Sequence, residues 1–318
     1  MEKTFRVILF LLVIFTFQCG CSPILSQREQ HSTSTLAGQS SPVESQATPT
    51  ALPERKITQV SGALPGSRLP GEPKGSAQII YDQTCAQTVE SKKAPGGDEY
   101  SNGRFERPFD KDMKYQPSLD INRSELIRST DGWNYFTIFL EAQPETSKAV
   151  YGIELDLNID GRGDYLIQAA APVSNTWEET GIKMWWDSDG DVGGQVINRS
   201  DPKGYKGSGF ESLRVDTSSG KNTGSIWTRL VGSEIQFALK NELTGGAGGK
   251  FTWKPYTDGM GISTTQYDVN DYFLLPAAGS PLLGERDYPL KAVYSLDNTC
   301  RGLSGLTPSG SEQGVCPP

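Results

Sequence analysis

The chain has 318 residues, of which 36% are hydrophobic and 21% charged, with a formal net charge of −8 and one histidine. A moderately acidic balance with no basic cluster excludes nucleic acid and anionic membrane surfaces as electrostatic partners. The sole histidine, His31, lies in a low-complexity stretch near the start, which removes His-dependent triads and His-ligated zinc from any domain downstream.

Met1 to Cys21 opens with Glu2, Lys3 and Arg6, continues as the apolar run Val7 to Phe17, and ends Gln-Cys-Gly-Cys. The run is too short to span a bilayer comfortably and reads as the core of a secretory signal. The segment resembles a bacterial lipoprotein signal, with Gly20 as the small residue before the cysteine that receives lipid. That resemblance implies lipidation of Cys21, export, and membrane anchoring at the cell surface or envelope of a bacterium. Cys19 is a competing acceptor, Gln18 stands where the family prefers Leu, and an ordinary cleaved signal is the alternative. Residues 22–75 are rich in Ser, Thr, Pro and Gln and poor in aromatics. They cannot bury enough apolar surface to offset their ordering entropy, so a disordered tether is expected there.

Residues 76–318 hold the folded domain, and its strands can be read in chain order. Ala77 to Tyr81 is a first strand, and Ser91 to Arg128 reads as a long, turn-rich covering segment. In Trp133 to Glu141 both faces are apolar, which predicts a central strand between two layers. Val150 to Leu157 and Tyr165 to Ala170 flank an acidic loop as a hairpin. Ile182 to Trp186 runs into a second acidic loop, and the chain is then polar and Gly-rich to Gly224. Further strands are expected at Ile226 to Leu230, Glu234 to Leu239, Lys250 to Tyr256, Tyr272 to Leu275 and Lys291 to Tyr294. Many short strands between Gly, Asn and Asp turns, with no amphipathic helix, predict an all-β antiparallel sandwich with long loops. Cys85, Cys300 and Cys316 remain beyond the signal. In an exported chain Cys85 with Cys300 would tie the ends of the domain together, and Cys300 with Cys316 is the local alternative.

The succession DGWNYFTIFLE, YGIELDLNIDG and EIQFALKNEL resembles the sandwich domains of the DOMON and family-9 carbohydrate-binding-module type over about Thr130 to Leu243. The resemblance implies a fold more than a ligand. No histidine or conspicuous methionine is present to hold haem, so the DOMON haem role is not carried over. From the carbohydrate-binding side only tryptophans could be carried over, and none stands at a matched position.

The sharpest chemistry lies between Asp156 and Asp164. Calcium needs six to eight oxygens, which a tight turn supplies when carboxylates and amides alternate along it. Counting Asp156 as position one, Asn158 and Asp160 stand at three and five, Gly161 at six, Arg162 at seven with its carbonyl, and Asp164 at nine. The match to an EF-hand loop ends at position twelve, where Ile167 replaces the bidentate Glu, and the flanks are strands. The missing ligand is expected from the second loop, where Asp187, Asp189 and Asp191 share the spacing but Val192 stands in place of Gly. A hairpin turn that uses Asp and Asn as turn formers is the plain alternative. Asp268, Asn270 and Asp271 read as an ordinary loop. Arg162-Gly163-Asp164 is an adhesion-type tripeptide whose Asp already belongs to the calcium loop. Trp133, Trp177, Trp185, Trp186, Trp227 and Trp253 could stack on sugars but are first of all core candidates. Trp185 and Trp186, adjacent on a strand, must face opposite ways.

Carboxylates are plentiful, but no pair is set apart for glycoside hydrolysis, and no nucleophile elbow, phosphate loop or Cys-His arrangement occurs. The sequence therefore points to a non-catalytic, calcium-binding cell-surface lipoprotein that binds carbohydrate or another envelope component. A structural surface protein with calcium-rigidified loops is the alternative, and a glycan-active hydrolase stands behind both.

Overall fold

A computed structural model describes residues 69–91, 107–144, 149–192, 208–219, 223–266, 294–310, 312 and 314–316. Cys21 and the rest of the signal, the tether up to residue 68 with His31, the Asp268–Asn270–Asp271 cluster and the strand expected at Tyr272 to Leu275 lie outside these residues. Of the strand expected at Lys291 to Tyr294, Tyr294 alone is described, and it belongs to no strand.

Two antiparallel sheets form the domain, and no α-helix occurs among the described residues. The first sheet contains β1 (Ala77–Tyr81), β2 (Ile121–Arg128), β3 (Trp133–Leu140), β8 (Ile226–Val231) and β9 (Glu234–Lys240), in the order β1-β2-β3-β9-β8. The second contains β4 (Val150–Asp156), β5 (Tyr165–Ala170), β6 (Ile182–Trp186), β7 (Ser212–Asp216), β10 (Phe251–Asp258) and β11 (Leu296–Asn298). Its order is β11-β10-β4-β5-β6-β7, and β12 (Gly302–Ser304) pairs with the other end of β10.

The period-two alternation sets which residues face inward. Phe136, Ile138 and Leu140 of β3, with Ile235, Phe237 and Leu239 of β9, meet Tyr151, Ile153 and Leu155 of β4 and Phe251 and Trp253 of β10 in one core. Phe136 joins the layers directly, with ring centroids 6.4 Å from Phe251 and 5.4 Å from Trp253. Each such side chain contributes about 1.5–3 kcal/mol by leaving water.

The central position expected for β3 is observed: it pairs with β2 on one side and β9 on the other. Its outer face is covered as well, because Trp133 and Tyr135 pack with Ala238, Ile127, Trp177 and Trp227. Part of that cover comes from residues at the end of the expected tether. Glu72 takes two hydrogen bonds of 2.7 Å from Arg229, and Gly71 accepts one of 3.0 Å from the Trp177 indole. Arg229 also stacks over Trp177 at 4.4 Å. Residues 69–75 thus fold onto the sheet, where a charge pair and an indole hold them.

Two strands differ from the expectation. β2 lies inside the segment read as cover, and β7 lies in the Gly-rich stretch. Both are amphipathic and lie toward the sides of their sheets, where solvent takes one face.

The expected Cys85–Cys300 bridge is not formed: the disulfide joins Cys300 to Cys316, whose Cα atoms are 5.0 Å apart. Arg301 makes the pairing local, since it bridges to Val315, takes a main-chain hydrogen bond from Cys316 and gives one to Gly314. Cys85 is buried elsewhere, with Phe109 and Tyr115.

Candidate metal centre

Both acidic loops leave the same end of the second sheet. β4 ends at Asp156, β5 begins at Tyr165 and pairs with Trp186, and the second loop starts at once with Asp187. The loops are joined: the Asp187 N–H donates to the Asp164 carbonyl at 3.1 Å, and Arg162 donates to the Val192 carbonyl at 3.5 Å. The second loop thus adjoins the first, but its clustered carboxylates, Asp187, Asp189 and Glu211, include no residue of the first loop.

In the first loop the side chains turn onto the loop's own N–H groups. Asp156 accepts from Ile159 at 2.6 Å and from Gly161 at 3.0 Å. Asn158 and Asp160 each accept from the residue two further on, at 2.9 Å, and Asp164 accepts from Leu157 at 2.6 Å. These are Asx-type bonds that would fix the backbone with or without an ion. Asp156 is buried, and burial pushes its carboxyl up to about 6, with Arg301 opposing and Asp164 adding to the shift. Ile167, at position twelve, points into the main core and supplies no ligand.

Beneath this loop lies a buried ion network. Glu154 bonds Arg301 at 2.6 Å and Lys254 at 2.9 Å, all three nearly excluded from solvent, and Arg301 also donates to the Gly161 carbonyl. Gly163 covers Glu154 so closely that a Cβ there would come within 2.8 Å of Glu154 Cγ and of the Phe210 ring. The adhesion-type tripeptide is therefore no exposed tip: Gly163 is buried, and Asp164 is bound to loop N–H groups.

Among the described residues the second loop, and not the first, brings three carboxylates together. Asp187, Asp189 and Glu211 each offer an oxygen within 4.8 Å of the others, an arrangement that could hold a metal ion. Asp191 instead turns toward the N–H groups of Ser208 and Gly209. Asp187 is 5% exposed and accepts from Gly190 at 2.8 Å and Val192 at 2.9 Å. Burial drives its carboxyl up to about 7, against those two N–H bonds and with help from Asp191 and Asp189. Glu211 accepts from the Ser188 N–H at 3.0 Å through Oε1, while its buried Oε2 has no hydrogen-bond partner among the described residues. Val192, found where Gly was expected, is a core residue here: it packs with Leu166, Phe210 and Tyr256 on the outer face of the sheet. Trp185 joins that cluster while Trp186 turns to the main core under Arg214, so the adjacent pair faces opposite ways as expected.

The donor set is made wholly of oxygens, which suits a hard divalent cation. Sequence reading missed Glu211, Glu154, Lys254 and Arg301. Alternation at Leu213 and Val215 could have revealed β7 and drawn attention to the residue before it. The other three meet only through strand pairing and the fold of the C-terminal segment. Compared with protein-family models, curated proteins and solved structures, the chain matches none.

Proposed function

We propose that the chain is a non-catalytic, calcium-binding surface lipoprotein of a bacterial envelope, whose sandwich domain binds carbohydrate or another envelope component. The observation that carries the metal part is the convergence of Asp187, Asp189 and Glu211 with one buried glutamate oxygen left without a hydrogen-bond partner among the described residues. Such an oxygen costs about 1–3 kcal/mol unless something binds it, and a cation would also offset the repulsion among the carboxylates. Calcium fits better than magnesium because a loop mixing carboxylates, amides and carbonyls supplies flexible, high coordination. Asp156, Asn158, Asp160, Asp164 and the Arg162 carbonyl supply a second, adjoining group of oxygens. The anchor rests on the lipoprotein-type signal and Cys21, and the carbohydrate on the resemblance to carbohydrate-binding sandwiches.

The test is thermal unfolding of the purified full chain after chelation, with and without calcium. An ion that binds only the folded state stabilises by about 2.7 kcal/mol at a hundredfold excess over its dissociation constant. A calcium-dependent rise lost in Asp187→Asn supports the reading, and no rise overturns its metal part. A glycan array on the same protein tests the carbohydrate part, which fails if no saccharide is retained.

A further inference from the structure

A groove of about 920 Å³ lies between β1–β2 and β12 with the residues that follow it. Its walls carry Arg128 and Lys250, and among the described residues no acidic residue lines it, although the chain as a whole has a net charge of −8. Neither cation is paired with a carboxylate among the described residues. Arg128 spends its hydrogen bonds on main-chain carbonyls, 2.8 Å to Gly249 and 2.7 Å to Ala247, and on the Ser304 hydroxyl at 3.5 Å. Its charge is held in place without being neutralised.

The wall is built to fixed dimensions. Gly305 adopts φ +76°, and a Cβ there would come within 2.5 Å of the Gly249 carbonyl and 2.8 Å of the Arg128 guanidinium. The turn before β10 and the segment after β12 are thus clasped together by Arg128. Leu126 and Leu303 are buried beneath the groove, the half-buried Leu306 gives it an apolar face, and the exposed Ser76 and Thr307 offer hydroxyls at its margin.

We propose that this groove binds a carboxylate-bearing oligosaccharide. The inference rests on the carbohydrate part of the proposed function and gives it a place and a ligand class. A sugar ring has an apolar face and a hydroxyl edge, which match Leu306 set beside hydroxyls, and a uronate carboxylate is drawn to the charge of the two cations. An extended peptide fits less well. The Gln78 side chain donates to the Leu303 carbonyl and accepts from the Trp253 indole, so that carbonyl is already taken where a peptide strand would pair, and among the described residues no aromatic side chain lines the groove to take an anchor.

The test is calorimetric titration of the full chain in sodium chloride buffer with tetragalacturonate, neutral cellotetraose and hexaglutamate. Lys250 is exposed and makes no hydrogen bond within the described structure, so Lys250→Glu reverses a groove charge without threatening the fold. Tetragalacturonate should bind in preference to the other two, with affinity falling about tenfold in Lys250→Glu and falling with added salt. Lys111→Glu, the same charge change outside the groove lining, should leave it unchanged. Equal binding by Lys250→Glu and the unaltered chain overturns the groove, as does a preference for cellotetraose, and in both cases the carbohydrate reading stands. Equal Lys250-dependent binding of hexaglutamate overturns the saccharide class. Binding of none of the probes overturns the inference, and an empty glycan array then shows that the wider carbohydrate reading has fallen with it.

Discussion

Replacing Glu154 by Gln tests whether the buried ion network holds the site's foundation together. Glu154, Lys254 and Arg301 are 2%, 5% and 2% exposed, and the carboxylate bonds both cations, at 2.9 and 2.6 Å. Gln keeps the volume and removes the charge, leaving an ammonium and a guanidinium buried against a neutral amide. Breaking a buried pair in this way costs about 3–5 kcal/mol. Asp156 also feels the Arg301 charge and retains part of the compensation, which places the loss near the lower end, about 3 kcal/mol. Against a total stability of about 5–15 kcal/mol this is a large fraction. For a domain of this size it corresponds to a fall in Tm of about 6–12 °C. Circular-dichroism melting of the full chain at neutral pH, in chelator, measures it. A loss below about 1 kcal/mol would refute the reasoning, because it would mean that the two cations find water or other partners without Glu154.

Asp120 is fully buried, and burial raises its carboxyl to about 7, against hydrogen bonds from Tyr115 and the Cys85 N–H and with help from Glu141. The folded state therefore holds the proton more tightly than the unfolded chain, and this group's contribution, fully present below about pH 4, is lost as pH rises through 7. Asp120→Asn should gain stability relative to the unaltered chain between those limits, and parallel pH–Tm curves would contradict this. Cys316→Ser opens the loop closed by the bridge, whose cysteines are 16 residues apart, and should cost about 3 kcal/mol in denaturant unfolding. Gly163→Ala forces a methyl against Glu154 and Phe210 and should cost about 1–3 kcal/mol by the same measurement.

What could be read from the sequence depended on whether its cause was local. β3, β5 and β6 follow from short apolar runs bounded by turn residues, and they were legible to within a residue. That the two acidic loops lie side by side follows from the strand order, because both leave the same end of one antiparallel run. β2 was hidden because INRSELIR buries one face only and follows a turn-rich stretch without a break. Glu211 could not be singled out among many carboxylates, since its meeting with Asp187 depends on a return of the chain after residues of no distinctive pattern. The disulfide was misassigned because spacing offers no distance, whereas the bridge from Arg301 to Val315 does. Residues 69–75 have the composition of a tether, yet they lie against the sheet, where Gly71 bonds Tyr135 and Trp177 and Glu72 meets Arg229.

Whether the acidic loops hold calcium, as proposed, is read most directly by binding itself. Equilibrium dialysis of the chelator-treated full chain against calcium, beside Asp187→Asn and Glu211→Gln, reads the site without relying on stability. Saturable binding should appear and weaken at least about tenfold in each variant, since each removes a proposed charged ligand. No saturable calcium binding by a chain shown to be folded and metal-free, or binding unchanged in both variants, would contradict the proposal.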